Sequence, residues 1–249
     1  MIRTANPALH AKTFSNLGYP AARGGSMTLQ GTVNKTGILL VAVLITASWT
    51  WDRFFSSGTP EAVFPWIIVG AVGGFIVALA TVFKKQWSAV TAPLYALLEG
   101  LFLGGISAVF ESRFPGIVVQ AVALTFGTLF CLLLAYKSGL IKATENFKLG
   151  VAAATGGICL VYVASMVLGF FGLRIPFIHE SGIIGIGFSL FVVVIAALNL
   201  VLDFDFIENA AAMGAPKYME WYAAFGLMVT LIWLYIEILR LLAKLRSRD

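Results

Sequence analysis

Residues 182–210 read GIIGIGFSLFVVVIAALNLVLDFDFIENA. From 182 to 202 there is no charged residue, and then Asp203, Asp205 and Glu208 arrive within six positions. Phe204, Phe206 and Ile207 fill the gaps, as if the apolar run continued through the acids. A helix needs about 20 apolar residues, at about 1.5 Å each, to cross the hydrocarbon of a bilayer. This stretch has that length, so it predicts a membrane-spanning helix. The acids are then either a helix end reaching water or carboxylates held inside the membrane.

The rest of the chain repeats the signal. Of its 249 residues, 59% are hydrophobic and 12% charged, where a soluble domain carries roughly 25% charged residues. Seven apolar runs qualify as spans: 37–51, 64–83, 87–110, 116–136, 149–173, 181–202 and 221–239. The first is short and carries Thr46, Ser48 and Thr50. The runs are continuous rather than alternating, which excludes a β-barrel. Lipid offers backbone groups no partner, so each run must be helical. The predicted fold is an all-α membrane protein, a seven-helix bundle with short loops. Its parts are a polar tail over 1–36, the transmembrane domain over 37–245 and a basic end over 246–249.

The net charge of +5 does not point to nucleic acid. Its basic residues sit between the runs and at the chain ends, where membrane topology uses them. Arg3, Lys12, Arg23 and Lys35 precede the first run, Lys84 and Lys85 follow the second, and Lys137, Lys142 and Lys148 follow the fourth. The other connections hold one Arg each: Arg53, Arg113 and Arg174. The N-terminus is therefore expected in the cytoplasm. Seven crossings then put the C-terminus outside, whereas Arg240, Lys244, Arg246 and Arg248 favour the inside, and that side stays open. Cys131 and Cys159 each lie within an apolar run and read as packing residues. Small residues four apart, Gly70/Gly74, Gly100/Gly104 and Ala153/Gly157, predict close helix approaches.

The acids carry the functional question. Glu99 lies twelve residues into its run, roughly 18 Å along the axis and near mid-bilayer. A charge at that depth costs ~2.5 kcal/mol or more, so Glu99 must be neutral, paired or facing water. Asn199 and Asp203, four apart, share a helix face that should look into the bundle. Asp205 and Glu208 share another, expected to face the inner water. Glu237 is sixteen residues into the last run. It either pairs with Arg240 three residues on or serves the site, and Thr230, seven residues before it, faces the same way.

Catalytic motifs are missing from the sequence. His10 and His179 form no metalloprotease pair, and no nucleophile elbow or phosphate-binding loop occurs. A retinal protein needs a lysine midway along the seventh span, and Lys244 is at its end. The expectation is a protein that is not an enzyme and needs no cofactor.

YALLEGLFLGGIS in span three, LVLDFDFIE closing span six and LMVTLIWLYIEILRLL in span seven occur in an order and spacing that carry a resemblance. Over about residues 30–245, the chain resembles the transmembrane Bax inhibitor motif family, in its bacterial Bax inhibitor-1-like branch. The resemblance implies a seven-helix bundle with a central last helix. It also implies a pH-dependent Ca²⁺ leak in which an Asp near the end of helix six pairs with an Asp in helix seven. Asp203 stands at the first position. Thr230 stands at the second, where this sequence departs, and the nearest acid on that face is Glu237. Asp203 then has Thr230 or Glu99 as its alternative partner, and Asp203 with Glu237 are the candidate Ca²⁺ ligands. Hard divalent cations favour such oxygen donors, and paired acids select cations.

The functional expectation is a pH-sensitive cation leak, with Ca²⁺ the permeant ion, in a bacterial inner membrane. Its pathway residues would be Asp203, Glu99, Glu237, Asp205, Asn199 and Thr230. The alternative is a membrane-embedded regulator of a membrane protease or stress response, without transport, contacted through the tail. A weaker third reading, a small-molecule transporter, would use helices broken at Pro93 and at GIIGIG.

Overall fold

A computed structural model describes residues 25–172 and 182–247. Tail residues 1–24, with His10, lie outside the described residues, as do Arg174, His179 and Arg248. Among the described residues there is no strand, and seven helices are long and apolar enough to cross a membrane. They are α1 (Leu29–Ser57), α2 (Phe64–Phe83), α3 (Ser88–Arg113), α4 (Ile117–Lys137), α5 (Glu145–Phe170), α6 (Ile183–Ala212) and α7 (Met219–Arg246). The chain is a multi-pass membrane protein.

Three boundaries differ from the sequence reading. α1 begins at Leu29, inside the stretch read as polar tail. Thr28 caps it by accepting from the Gly31 N–H, so a start signal lay within the polar stretch. α7 runs on to Arg246, carrying Arg240 and Lys244 as helical residues. α6 continues ten residues past 202. The acids therefore lie within the helix rather than marking its end. Phe206, Ile207 and Ala210 are buried there, so apolar contact sustains the helix beyond the first charges. The break expected at Pro93 does not occur, since α3 is continuous through it, and α6 begins at Ile183 within GIIGIG and is unbroken from there. A proline near a helix start removes one backbone bond, and the remaining ladder holds.

Burial ranks the helices. The most apolar part of α7 is 61% buried, that of α5 only 11%. The last helix is thus the most buried of the seven.

The described residues group into two compact units. One runs to Pro115 and includes Phe206–Val229; here it is called the α1–α3 unit. The other comprises Gly116–Asp205 and the chain from Thr230, and is called the α4–α7 unit.

In the α1–α3 unit, glycines let helices approach closely. A Cβ at Gly104 would collide with the Thr50 hydroxyl and stand 2.6 Å from Ala47 Cα. One at Gly100 would collide with Thr46. One at Gly70 would meet the Leu98 carbonyl at 2.6 Å. Thr46 and Thr50 turn their hydroxyls back to carbonyls of α1, so they are satisfied at these crossings. The chain before α1 is tied to the α6–α7 connection: Met27 N donates to the Ala215 carbonyl at 2.7 Å, and Ser26 pairs with Pro216.

In the α4–α7 unit, Ile158, Val192 and Ile195 form an apolar cluster with Tyr162 and Trp233 beside it. The predicted close approach at Ala153/Gly157 is absent, because a Cβ at Gly157 would meet nothing within 4 Å. Small-residue spacing permits an approach without requiring one, and here no helix takes it up.

Candidate functional site

Polar side chains inside the α4–α7 unit fall into successive rungs. At one end, Lys148 Nζ pairs with Asp205 at 2.8 Å and with Glu145 at 3.6 Å. The lysine is nearly enclosed, its side chain 8% exposed. Next, Asn199 donates to Thr155 Oγ1 at 2.9 Å and to the Ile195 carbonyl at 2.8 Å. Then the Tyr162 hydroxyl donates to Glu237 Oε1 at 3.0 Å and accepts from Arg240 at 3.1 Å. Arg240 also donates to both Glu237 oxygens, at 3.0 and 3.3 Å. At the far end, Lys244 Nζ donates to Ser189 Oγ at 2.9 Å and to the Gly185 carbonyl at 3.1 Å.

The rungs follow helical periods. Lys148, Thr155 and Tyr162 are seven apart on α5, and Thr230, Glu237 and Lys244 are seven apart on α7. Two turns of helix return a side chain to nearly the same face. On α6 the rungs run from Ser189 to Asp205, sixteen residues, or roughly 24 Å of axis. That is most of the hydrocarbon thickness.

The same contacts set the register of α6 against α7. Lys244 meets Ser189. Fourteen residues up α6 from Ser189 is Asp203, and fourteen residues back along α7 from Lys244 is Thr230. Counting straight helices from that one contact brings Asp203 near the depth of Thr230; both are buried, Asp203 with 0% exposure. By the same count Glu237 is level with Ala196, seven residues or roughly 10 Å of axis from Asp203. Glu237 is engaged with Tyr162 and Arg240. Among the described residues, no three His, Cys, Asp or Glu side chains come together in a way that would hold a metal ion. The two candidate Ca²⁺ ligands are therefore placed at different levels, and no third acid joins them.

Of the remaining site residues, Asn199 is buried and Glu208 exposed, while Asp205 is half-buried in its pair with Lys148. Glu99 belongs to the α1–α3 unit. Its carboxylate accepts from Tyr95, one turn earlier on α3, and lies against Gly74 of α2, where a Cβ would stand 2.7 Å from Glu99 Oε1.

Sequence reasoning missed Lys148, Thr155, Tyr162, Ser189 and Lys244. The signal was the seven-residue spacing of polar side chains along α5 and α7. It also missed Glu220, which is wholly buried. Its carboxylate accepts from the Thr28 N–H and hydroxyl, each at 2.9 Å, and pairs with Lys217 at 2.8 Å and with Lys35. Gly31 makes room for it, since any Cβ there would collide with that carboxylate.

A family model described as Bax inhibitor 1 like matches residues 6–247. The chain belongs to the Bax inhibitor 1 like family. No curated protein and no solved structure matches it. As a Bax inhibitor 1 like protein, it places two buried groups, Asp203 and Thr230, near one depth on its last two helices.

Proposed function

We propose that this Bax inhibitor 1 like protein is a pH-sensitive leak for cations, Ca²⁺ foremost, in a bacterial inner membrane, with its N-terminus in the cytoplasm. The observation that carries the proposal is Asp203, a carboxyl with no exposed surface in a membrane-spanning helix, near the depth of Thr230. A buried acid inside a bilayer is costly and marks an ion or proton pathway by default. Protonated, Asp203 is neutral and stores no charge. Deprotonated, it leaves a negative charge that draws a cation. No resident cofactor and no catalytic chemistry enter this proposal. Glu99, in the α1–α3 unit and bonded to Tyr95, is assigned a secondary part.

The test is Ca²⁺ uptake by liposomes holding the purified protein, scanned from acid to alkaline pH, beside Asp203→Asn. Uptake that titrates in the wild type and no longer titrates in the variant supports the proposal. Uptake with the same pH profile in both removes Asp203 from the mechanism.

One observation favours a second reading, a regulator of a membrane protease or stress response. Residues 26–28 are fastened to the α6–α7 connection and to Glu220. A partner holding the tail would act directly on that connection. Deleting residues 1–26 separates the two: a regulator loses its partner, whereas a leak keeps its flux.

A further inference from the structure

On the polar ladder of the α4–α7 unit, Asp205, Glu145 and Glu237 each meet a basic side chain from the same unit. Lys148 lies between Asp205 and Glu145, and Arg240 lies on both oxygens of Glu237. The two pairs occupy different depths. By the register above, Glu237 is level with residue 196, nine residues or roughly 14 Å along α6 from Asp205. The level of Asp203 falls between them. Neither base is among the pathway residues expected from the sequence.

We propose that Lys148 and Arg240 are tethered plugs, whose charges take the carboxylate positions that a permeating cation would otherwise occupy on either side of Asp203. The inference rests on the cation-leak reading. It follows from where the charges lie. An ammonium at 2.8 Å from Asp205, 8% exposed, is a cation already bound, held by its own side chain and poorly screened by water. A mobile cation must displace it or pass against its field. The guanidinium of Arg240 does the same at Glu237, and Tyr162 fixes its position by accepting from it while donating to the carboxylate. Arg240 is 38% exposed while Glu237 is 2% exposed, so this plug has an open side toward which to swing. Lys148, nearly enclosed, is the tighter one.

The competing explanation is structural: hydrogen bonds between membrane helices also act as glue. Charge separates the two. Lys148→Gln and Arg240→Gln keep a donor on a shorter side chain and remove the charge, while Lys148→Arg and Arg240→Lys keep the charge. Each variant is reconstituted in liposomes beside the wild type. Ca²⁺ uptake is read with a trapped indicator, retention of a trapped fluorescein dye excludes gross leakage, and unfolding temperature in detergent reports on folding. The expected result is Ca²⁺ uptake raised roughly tenfold by each Gln variant, the scale of removing one poorly screened unit charge, with the dye retained. The Arg and Lys variants should stay near the wild type.

Four other outcomes decide the matter. Gln variants at the wild-type rate, in a wild type that titrates through Asp203, overturn the plugs and leave the leak standing. Uptake in the Gln variants alone, from a silent wild type, supports the plugs and shows the wild type closed. No uptake in any protein overturns both. Uptake raised alike by the Gln and the charge-keeping variants shows loosened packing and overturns the plugs. Should Lys148→Gln fail to fold, Arg240→Gln, at the half-exposed rung, carries the test alone.

Discussion

The α1–α3 unit and the α4–α7 unit use the same two ingredients, small residues and membrane-buried polar groups, to opposite ends. In the first, glycines on α2 and α3 bring backbones together until a single added methyl group collides. In the second, Gly127, Gly150, Gly156 and Gly157 would meet nothing within 4 Å if a Cβ were added. What runs through that unit instead is a ladder of paired charges and hydrogen bonds. Close glycine contacts mark the first unit, and a longer run of polar pairs marks the second. Close packing is intolerant of change.

Substitutions can break this comparison or sharpen it. The largest effect is expected from Asp203→Asn, which should abolish the pH dependence of Ca²⁺ uptake in liposomes while the protein still inserts. A titration that survives in the variant would return the pathway to some other group.

Gly104→Ala should cost ~3 kcal/mol of stability, because the methyl group would meet backbone atoms of α1 as well as the Thr50 side chain. Unfolding in detergent with rising denaturant measures it, and an unchanged midpoint would mean that α1 and α3 are not close-packed.

Glu220→Gln should cost about 2 kcal/mol, since two lysines and the cap of α1 lose a charged acceptor. Lys217 is half-exposed and finds water, so the cost stays below that of a fully buried pair. The same denaturant series reads it, and amide exchange at residues 28–31 should quicken.

Tyr162→Phe should cost about 1 kcal/mol by removing the hydroxyl between Glu237 and Arg240. Gly157→Ala should be the mildest, shifting stability by less than ~1 kcal/mol and in the favourable direction, as alanine suits a helix interior better than glycine. A large loss at Gly157 would show that the α4–α7 unit also depends on close approach there, and the contrast between the units would fall.

Much of this was legible before any coordinates. Long charge-free runs such as 182–202 announce spans, because length and apolarity are local properties. Asn199 and Asp203 share a face by their spacing alone, and both are buried. The Glu237–Arg240 pair was one of two readings open at that spacing, and it is present at 3.0 Å. The rest was not legible because it depends on partners far along the chain. Tyr162 and Glu237 are 75 residues apart, and Lys244 and Ser189 are 55. No local period encodes which rung meets which. The same holds for Gly157, whose spacing matches that of Gly70 and Gly100 and whose surroundings do not.

By itself, the sequence determined a helical, seven-span membrane protein, since lipid leaves a backbone no other way to satisfy its hydrogen bonds. It also determined which acids lie at membrane depth. Only the tertiary structure decided how those acids are matched: Asp205 with Lys148, and Glu237 with Arg240 and Tyr162. The physical reason is that helix rotation and register, set by packing along the whole length of each helix, decide which side chains meet.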